Sequence, residues 1–405
     1  MNEKPAASVR FLALDSLLGI CAAIVVLFHV EVLGKVYAGH LHGLGIIDHG
    51  FLFVDFFFVL SGFIIAHGYY RKIGQWRDTL PFMIKRFGRV YPMHLLMLLC
   101  FLGLELTKLY SIRHGMTADR APFTGPYSLT GFAASLFLVQ SLGFFHLDYW
   151  NAPSWSISVE FWTYLLFALF ALYFSRQRKR WAASAAALIC LLCLLVVLFR
   201  SPRYIDATYD YAMFRCVMGF FSGFLVYLAF DRFLSRRRPT FLVLSLLEIA
   251  ACTLAAVFVA RVGYQRSSLA APFLFSLCVA VFVWDDGVIS RLLRLPPFQF
   301  LGKVSYTVYI SHAFFIILAA RVMNILAQKH RFGIIPLRAS AEQPVMFHTG
   351  SIWISDLLVV LLVVCVFATS ALLFRLIEDP ARRFFNARSR AVAGRLNPAR
   401  RRTAQ

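Results

Sequence analysis

The sequence predicts an all-α, polytopic integral membrane protein of about ten transmembrane helices with both termini in the cytoplasm. Three observations carry this. Of 405 residues, 60% are hydrophobic and 15% charged, against roughly 45–50% and 25% in soluble chains. The mean hydropathy is +0.70, and the apolar residues fall into runs close to the ~20 that cross a bilayer core as a helix. Lysine and arginine gather in alternate connecting segments. That much apolar surface cannot be hidden inside a water-soluble globule of this size, which excludes soluble, disordered and fibrous classes.

The runs lie at 11–33, 51–70, 90–110, 155–175, 181–199, 211–230, 241–260, 268–285, 300–320 and 354–377. They are too long and too continuously apolar for the ~10-residue alternating strands of a membrane barrel. Gly131 to Phe145 is shorter and reads as re-entrant or interfacial. With the N-terminus inside, the inner segments and tail hold 28 of the 41 Lys and Arg, so the net charge of +21 is mostly a topology signal. Nucleic-acid binding is not needed to explain it. The first run is too long and too polar, with Asp15, His29 and Glu31, for a cleavable signal peptide. All eight cysteines fall inside predicted spans, against a disulfide framework. Cys190-x-x-Cys193 reads as packing, since no second pair accompanies it. Extramembrane stretches are short, so the chemistry is expected in a transmembrane domain over 1–380, followed by a basic cytoplasmic tail over 381–405.

Ionisable groups in membrane helices are costly and mark cavities or partners. On the first helix Asp15 and His29 are 14 residues apart and share a face, about 21 Å apart along the axis. His29 alone would read as a packing histidine. The second helix carries Asp55 and the run Phe56 to Phe63, where Ser61-Gly62 permits close backbone approach. Ahead of the third, Arg86 and Arg89 stand three residues apart on one face, suited to phosphates or to plain anchoring at the inner interface. The fourth opens with Trp155, an interfacial anchor by default, and Glu160. The ninth holds Lys303 and a polar stripe of Ser305, Tyr309 and His312, with Tyr306 beside it. The last ends at Glu378, and Pro380 reads as its stop.

Taken in order, these residues resemble the acyltransferase-3 family of membrane O-acyltransferases. Asp15 and His29 match its opening motif. Phe57 to Phe63 match Phe-Phe-x-Leu-Ser-Gly-Phe, and Arg86, Arg89 and Pro92 match Arg-x-x-Arg-x-x-Pro. Trp155, Ser156 and Glu160 match Trp-Ser-x-x-x-Glu. Gly302, Ser305, Tyr306, Tyr309 and His312 match Gly-x-x-Ser-Tyr-x-x-Tyr-x-x-His, and Glu378 and Pro380 match Glu-x-Pro. The matches run from the first helix to the last.

The resemblance implies transfer of an acyl group, often acetyl, from acyl-CoA to a hydroxyl of an extracytoplasmic or lipid-linked glycan, in a bacterial cytoplasmic (inner) membrane. It implies acyl-CoA, typically acetyl-CoA, as co-substrate with no permanently bound cofactor. The partners implied are membrane lipid and a carbohydrate or lipid-linked acceptor. His29 becomes the leading catalytic candidate, as general base or as the nucleophile of an acyl-imidazole, with Asp15 orienting groups on the same path. Arg86, Arg89 and Lys303 become candidates for the phosphates. Ser61, Trp155, Glu160, Ser305, Tyr306, His312 and Glu378 become candidates for lining the cavity.

One position departs from the family pattern. Eleven residues before His29, where the family usually has Arg, stands Leu18. Eleven residues is about three turns, so Leu18 shares the face of His29. Lys303, Arg215 or the Arg86/Arg89 pair are the cations available to replace it. Two rival readings remain: a transporter whose intramembrane acids and histidines form a path, and a degenerate relative that only binds acyl-CoA.

Overall fold

The computed structural model describes residues 10–34, 36–115, 120–236, 238–328, 335–337 and 346–396. Of the charges placed inside by the sequence, Lys4, Arg237 and Arg400 to Arg402 lie outside the described residues. The helices in order are α1 (Leu12–Val32), α2 (Gly45–Asp48), α3 (Phe53–Tyr69), α4 (Trp76–Arg113), α5 (Leu129–Leu136), α6 (Trp155–Phe174) and α7 (Lys179–Arg200). Then come α8 (Ala212–Arg232), α9 (Phe241–Val262), α10 (Ala271–Phe282), α11 (Val288–Leu293), α12 (Pro296–Gln328), α13 (Ile352–Leu373) and α14 (Asp379–Leu396). A short antiparallel ladder pairs β1 (Ile335–Leu337) with β2 (Met346–His348).

Among the described residues, nine helices are long and apolar enough to cross a membrane, and the stretch Arg266–Phe282 is shorter. The chain is a multi-pass membrane protein. The eighth predicted run, 268–285, corresponds to the shorter stretch. It starts as a 3-10 helix over Arg266–Ala270 and continues as α10. Five residues at ~2.0 Å and twelve at ~1.5 Å rise add to about 28 Å, close to the core thickness. The tighter winding lets a short segment reach across.

Polar contacts show which helix ends share a face. Arg71 after α3 and Lys179 at the start of α7 both pair with Asp231 at the end of α8. At the opposite ends, Thr208 Oγ1 before α8 donates to Asp148 Oδ2 before α6 at 3.0 Å. This is the alternation that the charge pattern predicts. The apolar outer surface follows from the solvent. Leu188, Leu191 and Leu192 on α7 and Leu357, Val360 and Val364 on α13 stay exposed, because lipid tails are as apolar as a protein core.

With no hydrophobic force to drive helices together in lipid, close packing depends on small residues and polar pairs. Gly62 of α3 lies against the backbone of Phe220, and Gly223 of α8 against that of Val59, where a Cβ would collide. One turn or two away the same two helices are joined by a fully buried ion pair. Arg215 donates to Asp55 through Nε at 3.0 Å and Nη2 at 2.7 Å. Its remaining donors reach the carbonyls of Phe51 and Ala207, and its guanidinium sits 5.0 Å from the Trp155 ring. The centre is otherwise aromatic, with Phe58, Phe63, Phe167, Phe220 and Phe224 fully enclosed.

Of the stretch Gly131 to Phe145, only the first six residues are helical, in α5. Two local expectations change. Arg86 and Arg89 do not precede a helix: α4 is continuous through Pro81 and Pro92, and tertiary packing offsets the backbone bonds that proline forgoes. Pro380 does not stop the helix. The chain is helical without a break from Ile352 to Leu396, and a π-helical turn over Phe374–Glu378, just before Pro380, changes the winding where proline withdraws its N–H. The described part of the expected tail is thus a basic helix. It lies on α4, with Phe385 against Gly88 and Ser389 Oγ donating to the Pro81 carbonyl at 2.7 Å.

Removing one partner of a buried ion pair strands the other charge, at a cost of about 3–5 kcal/mol. Asp55→Asn is expected to lower thermal stability by that order in detergent, whereas the double variant D55L/R215M, which leaves no charge, loses less than D55N.

Candidate functional site

The site is built on the crossing of α1 with α12. Gly19 lies against the backbone of Leu301 and Gly302, and Gly302 lies against the backbone of Asp15 and Ser16. Ser16 Oγ also donates to the Leu293 carbonyl at 2.7 Å, and Gln299 Nε2 bonds Ser16 Oγ at 2.7 Å and the Leu12 carbonyl at 2.8 Å. The helices run parallel in a fixed register. Ten residues separate Gly19 from His29, and ten separate Gly302 from His312, so the two histidines meet about 15 Å beyond the crossing.

His29 Nδ1 lies 2.8 Å from the Val25 carbonyl and 3.2 Å from His312 Nε2. His312 Nδ1 lies 3.2 Å from the Val308 carbonyl. A carbonyl oxygen only accepts, so in the neutral pair both Nδ1 atoms carry the hydrogen. His312 Nε2 then accepts from His29, and the lone pair of His29 is left on Nε2. His312 is fully buried and His29 partly so.

Nearer the glycine crossing, a cavity of about 240 Å³ opens between α1, α3, α4, α6 and α12. Arg86 and Arg89 supply its cations, Asp15 and Glu160 its acids, and Ser61, Tyr164, Ser305 and Tyr306 further polar groups. Leu18, Val54, Phe57, Leu60, Ile64 and Ile157 make the rest of the wall apolar. Tyr164 donates to Glu160 Oε1 at 2.6 Å, and Ser61 Oγ lies 3.2 Å from the Tyr164 oxygen, so Ser61 donates in turn. Arg89 pairs with Glu378, which also accepts from Thr307. Its guanidinium stands 5.1 Å from the Tyr306 ring, and Tyr306 donates to the Val90 carbonyl at 2.5 Å. Arg86 donates to the Tyr69 hydroxyl at 3.2 Å, while its buried Nε has no partner. Asp15 pairs with Arg10 at 3.2 Å.

At the far end of the cavity the Tyr309 hydroxyl lies 2.8 Å from Ser156 Oγ and 3.1 Å from the Pro153 carbonyl. The ring of Tyr309 is 5.9 Å from that of His312, so Tyr309 links the cavity to the histidine pair.

The sequence-predicted residues therefore divide. Asp15, Ser61, Arg86, Arg89, Glu160, Ser305 and Tyr306 line one cavity, and Glu378 stands directly behind Arg89. His29 and His312 form a second centre beyond it. Trp155 lines neither; it is buried on Arg215 and Phe58. Lys303 is exposed, 5.3 Å from the Phe374 ring. Leu18 faces the cavity, and of the cations named as able to replace an Arg there, Arg86 and Arg89 share it while Lys303 and Arg215 do not. Arg215 is spent on Asp55. Sequence reasoning passed over Tyr164, although its place four residues after Glu160, one turn on, was a usable signal. It also named Asp55 without its partner, since nothing local connects residues 160 apart.

The family model of the acyltransferase domain matches residues 11–375, from the first turn of α1 to the end of α13. The chain belongs to the acyltransferase-3 family. A Rhizobium radiobacter protein called "Protein 2 in picA locus" is 36% identical over 100 residues, 24% of this chain and 46% of that protein. The chain thus spans under half the length of this curated relative. No solved structure matches the chain. For this acyltransferase-family chain the match covers every helix that contributes to the cavity and to the histidine pair.

Glu378 is the least exposed member of its pair, at 1% against 30% for Arg89. Glu378→Gln is expected to destabilise the protein by roughly 2 kcal/mol, below the cost of breaking a wholly buried pair, and to free the Arg89 side chain. Thermal unfolding in detergent measures it; an unchanged midpoint would show that the pair does not hold the wall of the cavity.

Proposed function

We propose that this protein is an acyl-CoA-dependent membrane O-acyltransferase that acetylates a hydroxyl of an extracytoplasmic or lipid-linked glycan. We place it in a bacterial cytoplasmic membrane with both termini inside. The observation that carries the reading is the arrangement along α1 and α12: two arginines at one end of a narrow, largely apolar cavity, and a histidine with an available Nε2 about three turns further along the same helices.

Acyl-CoA has an anionic nucleotide end and a long thin arm. Arg86 and Arg89 suit its phosphates through charge-assisted hydrogen bonds. The arm suits the cavity beyond them, where Leu18 adds apolar wall rather than charge. His29 then acts as general base. Its Nε2 takes the proton of the acceptor hydroxyl as the oxygen attacks the thioester carbon. When the C–S bond breaks, the CoA thiolate recovers that proton. The imidazolium formed between these steps keeps its Nδ1–H on the Val25 carbonyl and the lone pair of His312. His312 is therefore a positioning residue. Domain boundaries follow the same reading: 1–380 carries the transfer chemistry, and α14 belongs to the basic inner-face segment.

The test uses purified protein, acetyl-CoA labelled in the acetyl group and a glycan acceptor. The wild type is expected to release CoA and move label to acceptor. His29→Ala is expected to lose at least ~100-fold in rate, as expected for a general base, while keeping its thermal midpoint. Leu18→Arg is expected to bring no gain, because Arg86 and Arg89 already supply the charge. Retained transfer in H29A overturns the assignment, and binding of acetyl-CoA without turnover by the wild type reduces the protein to a binding relative.

A further inference from the structure

Cations without a role in the chemistry above gather beside the central cavity. Tyr69, at the last turn of α3, is ringed by two of them and by Arg86. Lys72 stands 5.8 Å, Lys85 5.7 Å and the Arg86 guanidinium 5.1 Å from its ring. Tyr69, Lys72 and Lys85 border a cavity of about 140 Å³, lined on its other side by Ser389, Arg390 and Ala393 of α14. The Ser389 bond to the Pro81 carbonyl fixes α14 there, and so fixes Arg390 at the rim. The acid in this lining is Asp78, which accepts from the backbone N–H of Gly74 and Gln75 and caps α4. Lys72, Lys85 and Arg390 make no ion pair among the described residues.

Three cations from three chain segments share this lining with one carboxylate, and a bound anion relieves the excess of positive charge. The cavity also has neighbours. It shares Lys72 and Asp78 with a larger one of about 490 Å³, whose rim carries Arg71, Arg176 and Lys179. On the other side, the hydrogen bond from Arg86 to Tyr69 joins the lining of the central cavity to that of the smaller one. The unpartnered Nε of Arg86 lies at this junction.

We propose that Lys72, Lys85 and Arg390 form a second phosphate-binding subsite, separate from Arg86 and Arg89, that takes a phosphate ester group of an organic ligand. Two sources carry that chemistry. One is the ribose 3′-phosphate of CoA, its arm passing Arg86 into the central cavity, which rests on the acyltransferase reading. The other is the headgroup phosphate of an anionic lipid, which does not.

The variant K85Q/R390Q separates them. Neither side chain is buried, so its thermal midpoint should equal that of the wild type. Binding of CoA and of 3′-dephospho-CoA is measured on purified full-length protein, and co-purifying phosphatidylglycerol is measured against phosphatidylcholine in mixed nanodiscs. The expected result is about tenfold weaker CoA binding in the variant, the size of one to two lost charge-assisted bonds, with 3′-dephospho-CoA bound equally by both proteins. Unchanged CoA binding with a lost preference for phosphatidylglycerol also supports the subsite and assigns it to lipid. Wild-type protein that binds no CoA defeats the acyltransferase reading and leaves the lipid arm to decide the subsite. Equal CoA binding and equal lipid preference in the two proteins overturn the proposal.

Discussion

The structure depends on the glycine-to-glycine contact of α1 with α12. In lipid, apolar side chains gain little by choosing each other over the acyl chains, so the register of two helices has to be set by backbone approach and by hydrogen bonds. Gly19 and Gly302 provide the approach, and the bonds around Ser16 and Gln299 provide the lock. Because the helices are parallel, one register serves two places at once. It puts Asp15 and Leu18 beside Ser305 and Tyr306 in the cavity, and His29 against His312 ten residues later. A larger side chain at either glycine would disturb both.

The second framework, α3 against α8, works differently. It too is parallel and glycine-packed, but its polar element is a fully buried ion pair in which Arg215 donates to Asp55 and to the Phe51 and Ala207 carbonyls, beside the Trp155 ring. Such a pair has nothing left to offer a ligand. The cavity residues contrast with it. Arg86 keeps an unpartnered Nε, and Asp15 remains part exposed. The Asp55–Arg215 pair holds the bundle together, whereas Arg86 keeps bonding capacity at the cavity.

The membrane class and the places of the spans were legible because they follow from composition and from runs of the right length. The cavity was largely legible as well. Costly residues such as Glu160 and Arg89 have few reasons to stand in a membrane helix, and seven of the candidates meet around one space. What the sequence withheld depends on contacts between distant segments. Nothing local marks Arg215 as the partner of Asp55, or says that Trp155 is stacked on it rather than at an interface. Nothing local shows that Arg89 leans on Glu378, or that Lys303 points away from the cavity. Pro380 misled for a further reason: proline inside a helix breaks or kinks it, but here the helix runs on, with a π-helical turn just before the proline.

The central claim is that one path runs along α1 and α12 from Arg86 and Arg89, past Tyr309, to His29. A cryo-EM map of the protein in nanodiscs with CoA bound tests it most directly. The account predicts the diphosphate on Arg86 and Arg89, the arm along Leu18 and Phe57, and the sulfur beside His29 Nε2. A sulfur held at Glu160 or elsewhere, with the arm never reaching the Tyr309 end of the cavity, would contradict it.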